Sequence, residues 1–166
     1  MNRYQFIAKS KNGIDVYFNT ESSHVLTHFK ASSSLKPKVS EIISNLKISS
    51  NNIYESFNIN ENIGFSELIP TTEKDEIIYA KRLHRETYTR FAKNRQPIPT
   101  SLITLWICKE NDIYELKSAW FGPITPPIPG DPWENEQSLP FWLSHALVWG
   151  IQEIDRSTIT KECPWK

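Results

Sequence analysis

Long apolar runs are missing from this chain. The longest span about six to eight residues, where a helix crossing a bilayer needs roughly 20. The opening Met1-Asn2-Arg3-Tyr4 lacks the apolar core of a secretory signal,. The expectation is therefore a cytoplasmic protein with no membrane partner. Cysteine is scarce as well. Cys108 sits in an apolar run and Cys163 near the C-terminus, a spacing that fits neither a disulfide framework nor a zinc site. With 19 basic and 19 acidic side chains there is no net charge, so any electrostatic argument must rest on local clustering. Only five glycines are present. There is no glycine-rich phosphate loop, no Gly-x-Ser-x-Gly and no His-Glu-x-x-His, which removes P-loop nucleotide hydrolysis and zincin chemistry from consideration. His24 and His28 stand four apart in a segment, His-Val-Leu-Thr-His, that holds no carboxylate. No metal and no cofactor are expected.

What the chain does have is tryptophan. Five of its six lie between Trp106 and Trp149, namely Trp106, Trp120, Trp133, Trp142 and Trp149. A Trp-rich core and an aromatic-walled pocket are both consistent with this, since an indole joins a large apolar body to a single donor.

The local patterns predict a series of short elements. Residues 4–8 and 14–19 are β-rich and flank Asn12-Gly13, the dipeptide that favours a tight hairpin. Pro37 precedes Val39, Ile42, Ile43 and Leu46 at helical spacing, so an amphipathic helix is expected there. Residues 48–62 read as a connecting loop with room for a short strand. Residues 76–93 fit two strands turning near His84-Arg85-Glu86 better than a helix, because a helix would place Lys81 and His84 in the middle of its apolar stripe,. Residues 102–108 are apolar on both faces and predict a central strand. In Ile113–Phe121, alternation places Tyr114, Leu116, Ser118 and Trp120 on one face. Five prolines between residues 122 and 133 exclude helix and central strand there,. Residues 140–149 predict a last helix, capped by Ser138 and ended by Gly150. At 166 residues the chain fits one domain over 1–166. The expected fold is α+β, an antiparallel sheet with an N-terminal β-hairpin and two or three helices packed on it.

Three constellations bear chemistry. Lys81, Arg82, Arg85, Arg90, Lys93 and Arg95 crowd around His84 with Glu86 as the only acid among them. This is either a solvated hairpin or a surface for a phosphate-bearing ligand. Ser118 lies near the end of its strand, just before Gly122 and the proline-rich loop, where sites are often built. In the helix expected over 140–149, His145 would share a face with Trp142 and Trp149, either as a core histidine or as a general acid or base.

The run Tyr114-Glu115-Leu116-Lys117-Ser118-Ala119-Trp120-Phe121-Gly122, preceded by the basic segment, resembles the strand-end pattern of small bacterial RNase toxins. That group joins barnase, EndoU, colicin nucleases and RelE-type toxins. The resemblance covers residues 76–123, and Phe121 stands where the pattern prefers proline. It implies an α+β fold and metal-independent RNA cleavage, with Ser118 in the hydroxyl place and His84 or Arg82 in the upstream basic place. The resulting expectation is an endoribonuclease with His145, His84, Arg82, Arg90 and Ser118 at the catalytic centre, and Lys81, Arg85, Trp120, Trp142 and Trp149 binding RNA or another phosphate-bearing ligand. The alternative is a non-catalytic domain that binds a small ligand or a protein. The sequence does not indicate an oligomeric state.

Overall fold

The computed structural model describes residues 3–21 and 23–165. The chain forms two compact units, each built from two segments. The first unit is Met1–Phe65 with Pro99–Ile124, and the second is Ser66–Ile98 with Thr125–Lys166. Strands β4 (Gly64–Ser66) and β8 (Ile98–Thr100) carry the chain from one unit to the other and back.

The expected α+β arrangement of helices on one antiparallel sheet is not what the chain forms. Among the described residues it is mostly β, with twelve strands in three sheets and only three short helices. The physical reason lies in composition. Segments dense in Ile, Tyr, Thr and Trp favour a pleated surface, and tertiary strand pairing captures several stretches whose local pattern is ambiguous. No helix of the described residues is long and apolar enough to cross a membrane.

The first unit is a five-stranded sheet in the order β1-β2-β10-β9-β3. Its strands are β1 (Tyr4–Lys9), β2 (Asp15–Asn19), β3 (Asn52–Asn58), β9 (Leu102–Glu110) and β10 (Ile113–Phe121). All neighbours are antiparallel except β2 and β10. Helices α1 (Ser23–Ala31) and α2 (Leu35–Ser44) supply Val25, Leu35, Val39 and Ile43 to a core shared with Ile103, Leu105, Ile107, Leu116 and Ala119. The helix expected after Pro37 thus begins two residues before it, and α1 follows β2 where no element was expected. The side chain of His24 lies outside the described residues.

The N-terminal hairpin is present, but its turn is longer than a two-residue type I′ turn. Lys9 pairs with Asp15, and only Gly13 of the intervening residues takes a positive φ, 86°. Asn12 instead works as a clamp. Its Nδ2 donates to the Ile48 carbonyl at 2.7 Å, and its Oδ1 accepts from the Ile48 N–H at 3.0 Å. Gly64 is tied to packing, since a Cβ there would lie 2.7 Å from the Phe121 ring.

In β10 a bulge overturns the simple alternation. The register with β9 shifts between Leu116 and Ser118, so Leu116, Ala119 and Phe121 face the core while Ser118 and Trp120 sit opposite Trp106 and Thr104 on the other face. The stretch 48–62 contains a seven-residue strand, β3, on the sheet edge.

The second unit has its own five-stranded sheet, ordered β12-β6-β7-β11-β5. Its strands are β5 (Leu68–Pro70), β6 (Ile77–Arg82), β7 (Tyr88–Ala92), β11 (His145–Val148) and β12 (Ile154–Thr160). Here β7 and β11 run parallel. Two small apolar clusters flank this sheet, one around Ile69, Ala92, Ala146 and Val148, the other around Ile78, Ala80 and Phe91. The last helix, α3, covers Ser138–Ser144 only. His145 is extended, with φ −135° and ψ 160°, and residues 145–148 pair with β5 and β7. The helix expected over 140–149 therefore stops halfway, because two strands compete for its second half. His145, Trp142 and Trp149 do not share a helix face.

The Asn12 clamp generates a direct test. Asn12→Ala leaves the Ile48 N–H and carbonyl without these partners in a part-buried position, and should cost roughly 1–3 kcal/mol. The midpoint of urea unfolding should fall with an unchanged slope.

Candidate functional site

The hairpin β6–β7 sets the geometry of the second unit. Its register places Tyr79 opposite Arg90, Ala80 opposite Thr89 and Lys81 opposite Tyr88. Opposed residues share a face and successive residues alternate. Tyr79, Lys81, Tyr88 and Arg90 therefore lie on one face, and Arg82 and Thr89 on the other. Arg82 and Arg90 were expected together, and the register separates them.

Arg82 is committed to internal bonds. Its Nε donates to Thr89 Oγ1 at 3.0 Å and its Nη1 to Gln152 Oε1 at 3.0 Å. Gln152 in turn donates to Glu67 at 3.2 Å. Burial, helped by neighbouring Arg85, pulls this guanidinium down to about 10, and Glu67 acts in the opposite direction. Thr89 is fully buried. Such a side chain holds strands together rather than meeting a ligand.

His84 sits at the hairpin turn, exposed, with a φ of 63°. Arg85 is exposed on the same loop, and the Lys81 ammonium lies over the Tyr88 ring at 5.4 Å. The local excess of positive charge is smaller than the sequence window suggests. Lys93 pairs with Glu76 at 3.6 Å and Arg95 with Asp75 at 3.2 Å, and both acids stand just upstream of the cluster. The Thr72 backbone N–H, and after it Arg95, hold the Asp75 carboxyl below the usual range against the opposing effect of burial.

Arg90 and His145 do come together. Arg90 Nη1 donates to the His145 carbonyl at 3.0 Å and to Thr71 Oγ1 at 2.7 Å, and its Nε donates to Tyr79 Oη at 3.3 Å. Burial, followed by a contact with Cys163, raises the Tyr79 hydroxyl above its ordinary range, while Arg90 works against this. Nη2 of Arg90 makes no hydrogen bond among the described residues. The imidazole of half-buried His145 stacks on Phe141, with centroids 4.0 Å apart and planes 3° from parallel. Its Nδ1 lies 3.0 Å from the Phe141 carbonyl and 3.0 Å from Ser144 Oγ. In the tautomer that satisfies the Phe141 carbonyl, which only accepts, the ring hydrogen is on Nδ1. The neutral imidazole then presents a bare Nε2, for which the described residues offer no partner.

The indoles are mainly structural. Trp142 is buried and donates to the Pro126 carbonyl at 3.1 Å. Trp149 packs edge-on against Phe91 at 5.4 Å. Ser118 and Trp120 belong to the first unit. Trp120 donates to the Pro123 carbonyl at 3.1 Å. Ser118 is 2 % exposed, and its hydroxyl has no hydrogen-bond partner among the described residues.

Sequence reasoning missed Tyr79, Thr71, Phe141 and Ser144. The signal for Tyr79 was the centre of the hairpin. A turn centred on Arg85 pairs Arg90 with Ala80, on the face of Arg82, whereas the observed turn pairs it with Tyr79. That slip of one residue exchanges the two faces. Phe141 and Ser144 become visible only once the helix is known to end at Ser144.

No group of three or more metal-ligating side chains occurs among the described residues, and both cysteines are free. Comparison with known proteins found no matching family model, no matching curated protein and no matching solved structure.

The bonding of Arg82 predicts a structural role. Arg82→Ala strands Thr89 and Gln152 and should destabilise the fold by roughly 2–3 kcal/mol, seen as a lower urea midpoint. A variant as stable as the parent would show that the network contributes nothing.

Proposed function

We propose that the second unit carries a metal-independent endoribonuclease site centred on His145 and Arg90. The observation that supports this reading is the seat of the His145 ring, stacked on Phe141 with Nδ1 3.0 Å from the Phe141 carbonyl. An Nδ1–H tied to a carbonyl and a ring held by stacking leave Nε2 as an oriented base, the arrangement that general base catalysis requires. Arg90 is anchored to the same residue and keeps one terminal nitrogen for a phosphate oxygen. Nε2 takes the proton of the ribose 2′-hydroxyl, and that oxygen attacks phosphorus. The bond from phosphorus to the 5′-oxygen breaks, and the leaving oxygen recovers a proton from the imidazolium. The products are a 2′,3′-cyclic phosphate and a 5′-hydroxyl.

Arg82 falls out of the catalytic set and Trp142 and Trp149 out of the binding set, and His84 is not needed for this step. A second reading, a non-catalytic domain for a phosphate-bearing ligand, is favoured by one observation. Among the described residues His145 is hydrogen-bonded to Phe141 and Ser144 and to no titratable side chain that would serve as a separate general acid.

The two readings separate in one experiment. In EDTA, the protein should cut single-stranded RNA into cyclic-phosphate ends and leave a DNA strand of the same sequence intact. His145→Ala should lower the rate by about 10²- to 10⁴-fold with little change in melting temperature. Salt-sensitive RNA binding without cutting would support the second reading. Intact RNA across several sequences, or full activity in the His145 variant, would sink the first.

A further inference from the structure

The first unit leaves a buried hydroxyl unsatisfied beside a row of aromatic rings. Ser118 is 2 % exposed, and its Oγ has no hydrogen-bond partner among the described residues. Buried polar groups are normally paired, so this one asks for an explanation. The bulge at Lys117 puts it where it is. The shifted β9–β10 register sets Ser118 opposite Trp106, with Trp120 two residues further along the same face. Bulges of this kind commonly re-aim a side chain at a site.

The rings on that face are contiguous. Tyr54 stands directly opposite Trp106 across β3 and β9. Its ring centroid lies 6.5 Å from that of Trp106 and 6.1 Å from that of Trp120, and the His28 ring continues the row 6.3 Å beyond Trp120. Trp106 is 40 % exposed and Tyr54 38 %. Both indole donors are already used, Trp106 Nε1 on Asn52 Oδ1 at 2.8 Å and Trp120 Nε1 on the Pro123 carbonyl at 3.1 Å. The indoles therefore offer stacking faces, and the Ser118 hydroxyl offers the open polar contact. Charge on this face is spent internally. The charged side chains that β9 and β10 add to it are Glu110 and Glu115, and Lys117 bridges them, its Nζ 3.1 Å from Glu110 and 3.3 Å from Glu115. Lys109 lies on the opposite face, over the Tyr114 ring at 5.6 Å. These strands thus hold no unspent cation here for a phosphate, which disfavours a nucleic acid. A neutral sugar fits. A pyranose has a flat side of C–H groups that suits the negative face of an aromatic ring, and a rim of hydroxyls that both donate and accept.

We infer that this face of the first unit is a binding site for a neutral oligosaccharide. Trp106, Tyr54 and Trp120 stack successive sugar rings, since a row of this length calls for more than one flat ring. Ser118 bonds a sugar hydroxyl. It is closed to solvent in the free protein, so the ligand reaches it by moving Trp106, the half-exposed neighbour directly opposite. This inference does not depend on the proposed RNA cleavage, which uses residues of the second unit.

The test follows the six indole N–H resonances of the ¹⁵N-labelled full chain as cellohexaose, chitohexaose, maltohexaose and mannohexaose are added in turn. Trp106→Phe and Trp120→Phe assign the two signals of interest. The expected result is a saturable shift of both with at least one of these sugars, at a dissociation constant below about 1 mM. By calorimetry, Trp106→Ala should weaken that binding by about tenfold or more. Ser118→Ala should weaken it by about three- to tenfold, while the melting temperature stays level or rises, because no protein partner is lost. A serine with a merely structural role would lower the melting temperature and leave affinity alone, and that outcome would overturn the inference. So would the absence of binding by all four sugars, full affinity in Trp106→Ala, or a larger shift of the Trp106 and Trp120 signals with polyuridylate.

Discussion

A single guanidinium joins four stretches of the second unit. Arg90 projects from β7, reaches across the hairpin to Tyr79 on β6, touches Thr71 just past the end of β5, and holds the backbone of His145 at the start of β11. Lysine, with a single ammonium on a flexible stem, cannot reproduce this planar fork of donors. Three of the five strands of that sheet, and the residue after a fourth, are therefore indexed to one side chain. The place where α3 gives way to strand is the place that Arg90 grips. The orientation of His145 depends on this, since its ring stacks back on the last turn of a helix whose end is fixed by the strand that follows.

The two arginines of the hairpin show how one residue type is put to two uses. Arg82 spends its donors on Thr89 and Gln152 within the protein, and burial weakens its hold on its proton. Arg90 spends its donors on three separate segments of chain, and its Nη2 makes no hydrogen bond among the described residues. Among the described residues neither is neutralised by a direct ion pair. The surrounding lysines and arginines behave more ordinarily. Lys93 and Arg95 are paired with carboxylates, and Lys81 rests over a ring. What reads as a block of positive charge in the sequence is dispersed over two faces and several partners.

Much of the strand content was legible. The N-terminal hairpin follows from Asn12-Gly13, the β6–β7 hairpin from the poor helical stripe at Lys81 and His84, and β9 and β10 from an apolar and an alternating run. What failed was reading that needs partners. Residues 145–148 carry an acceptable helical pattern and become strand because two neighbours offer hydrogen bonds. The bulge at Lys117 reverses the facing of Ser118 relative to Leu116, and no local pattern announces it. The basic and histidine residues of the candidate site were named in advance. The placing of Arg82 and Arg90 on opposite faces was not, because the face a side chain occupies depends on register, and register is fixed by the turn to within one residue,.

The chain passes from the first unit into the second at β4 and back at β8, and then leaves the first for good after β10. Each unit is therefore finished only by residues far downstream of those that begin it. In the first unit, β2 lies beside β10, a neighbour made about a hundred residues later. During synthesis, the β1–β2 hairpin emerges before its neighbour β10 and β3 before β9, and in the second unit the β6–β7 hairpin and β5 wait for β11 and β12. Pairings this distant carry the loop-closure cost early and the reward late, which favours slow folding and leaves strand edges open in the interim. Neither unit corresponds to a contiguous piece of gene, so no single cut in the sequence releases one of them whole.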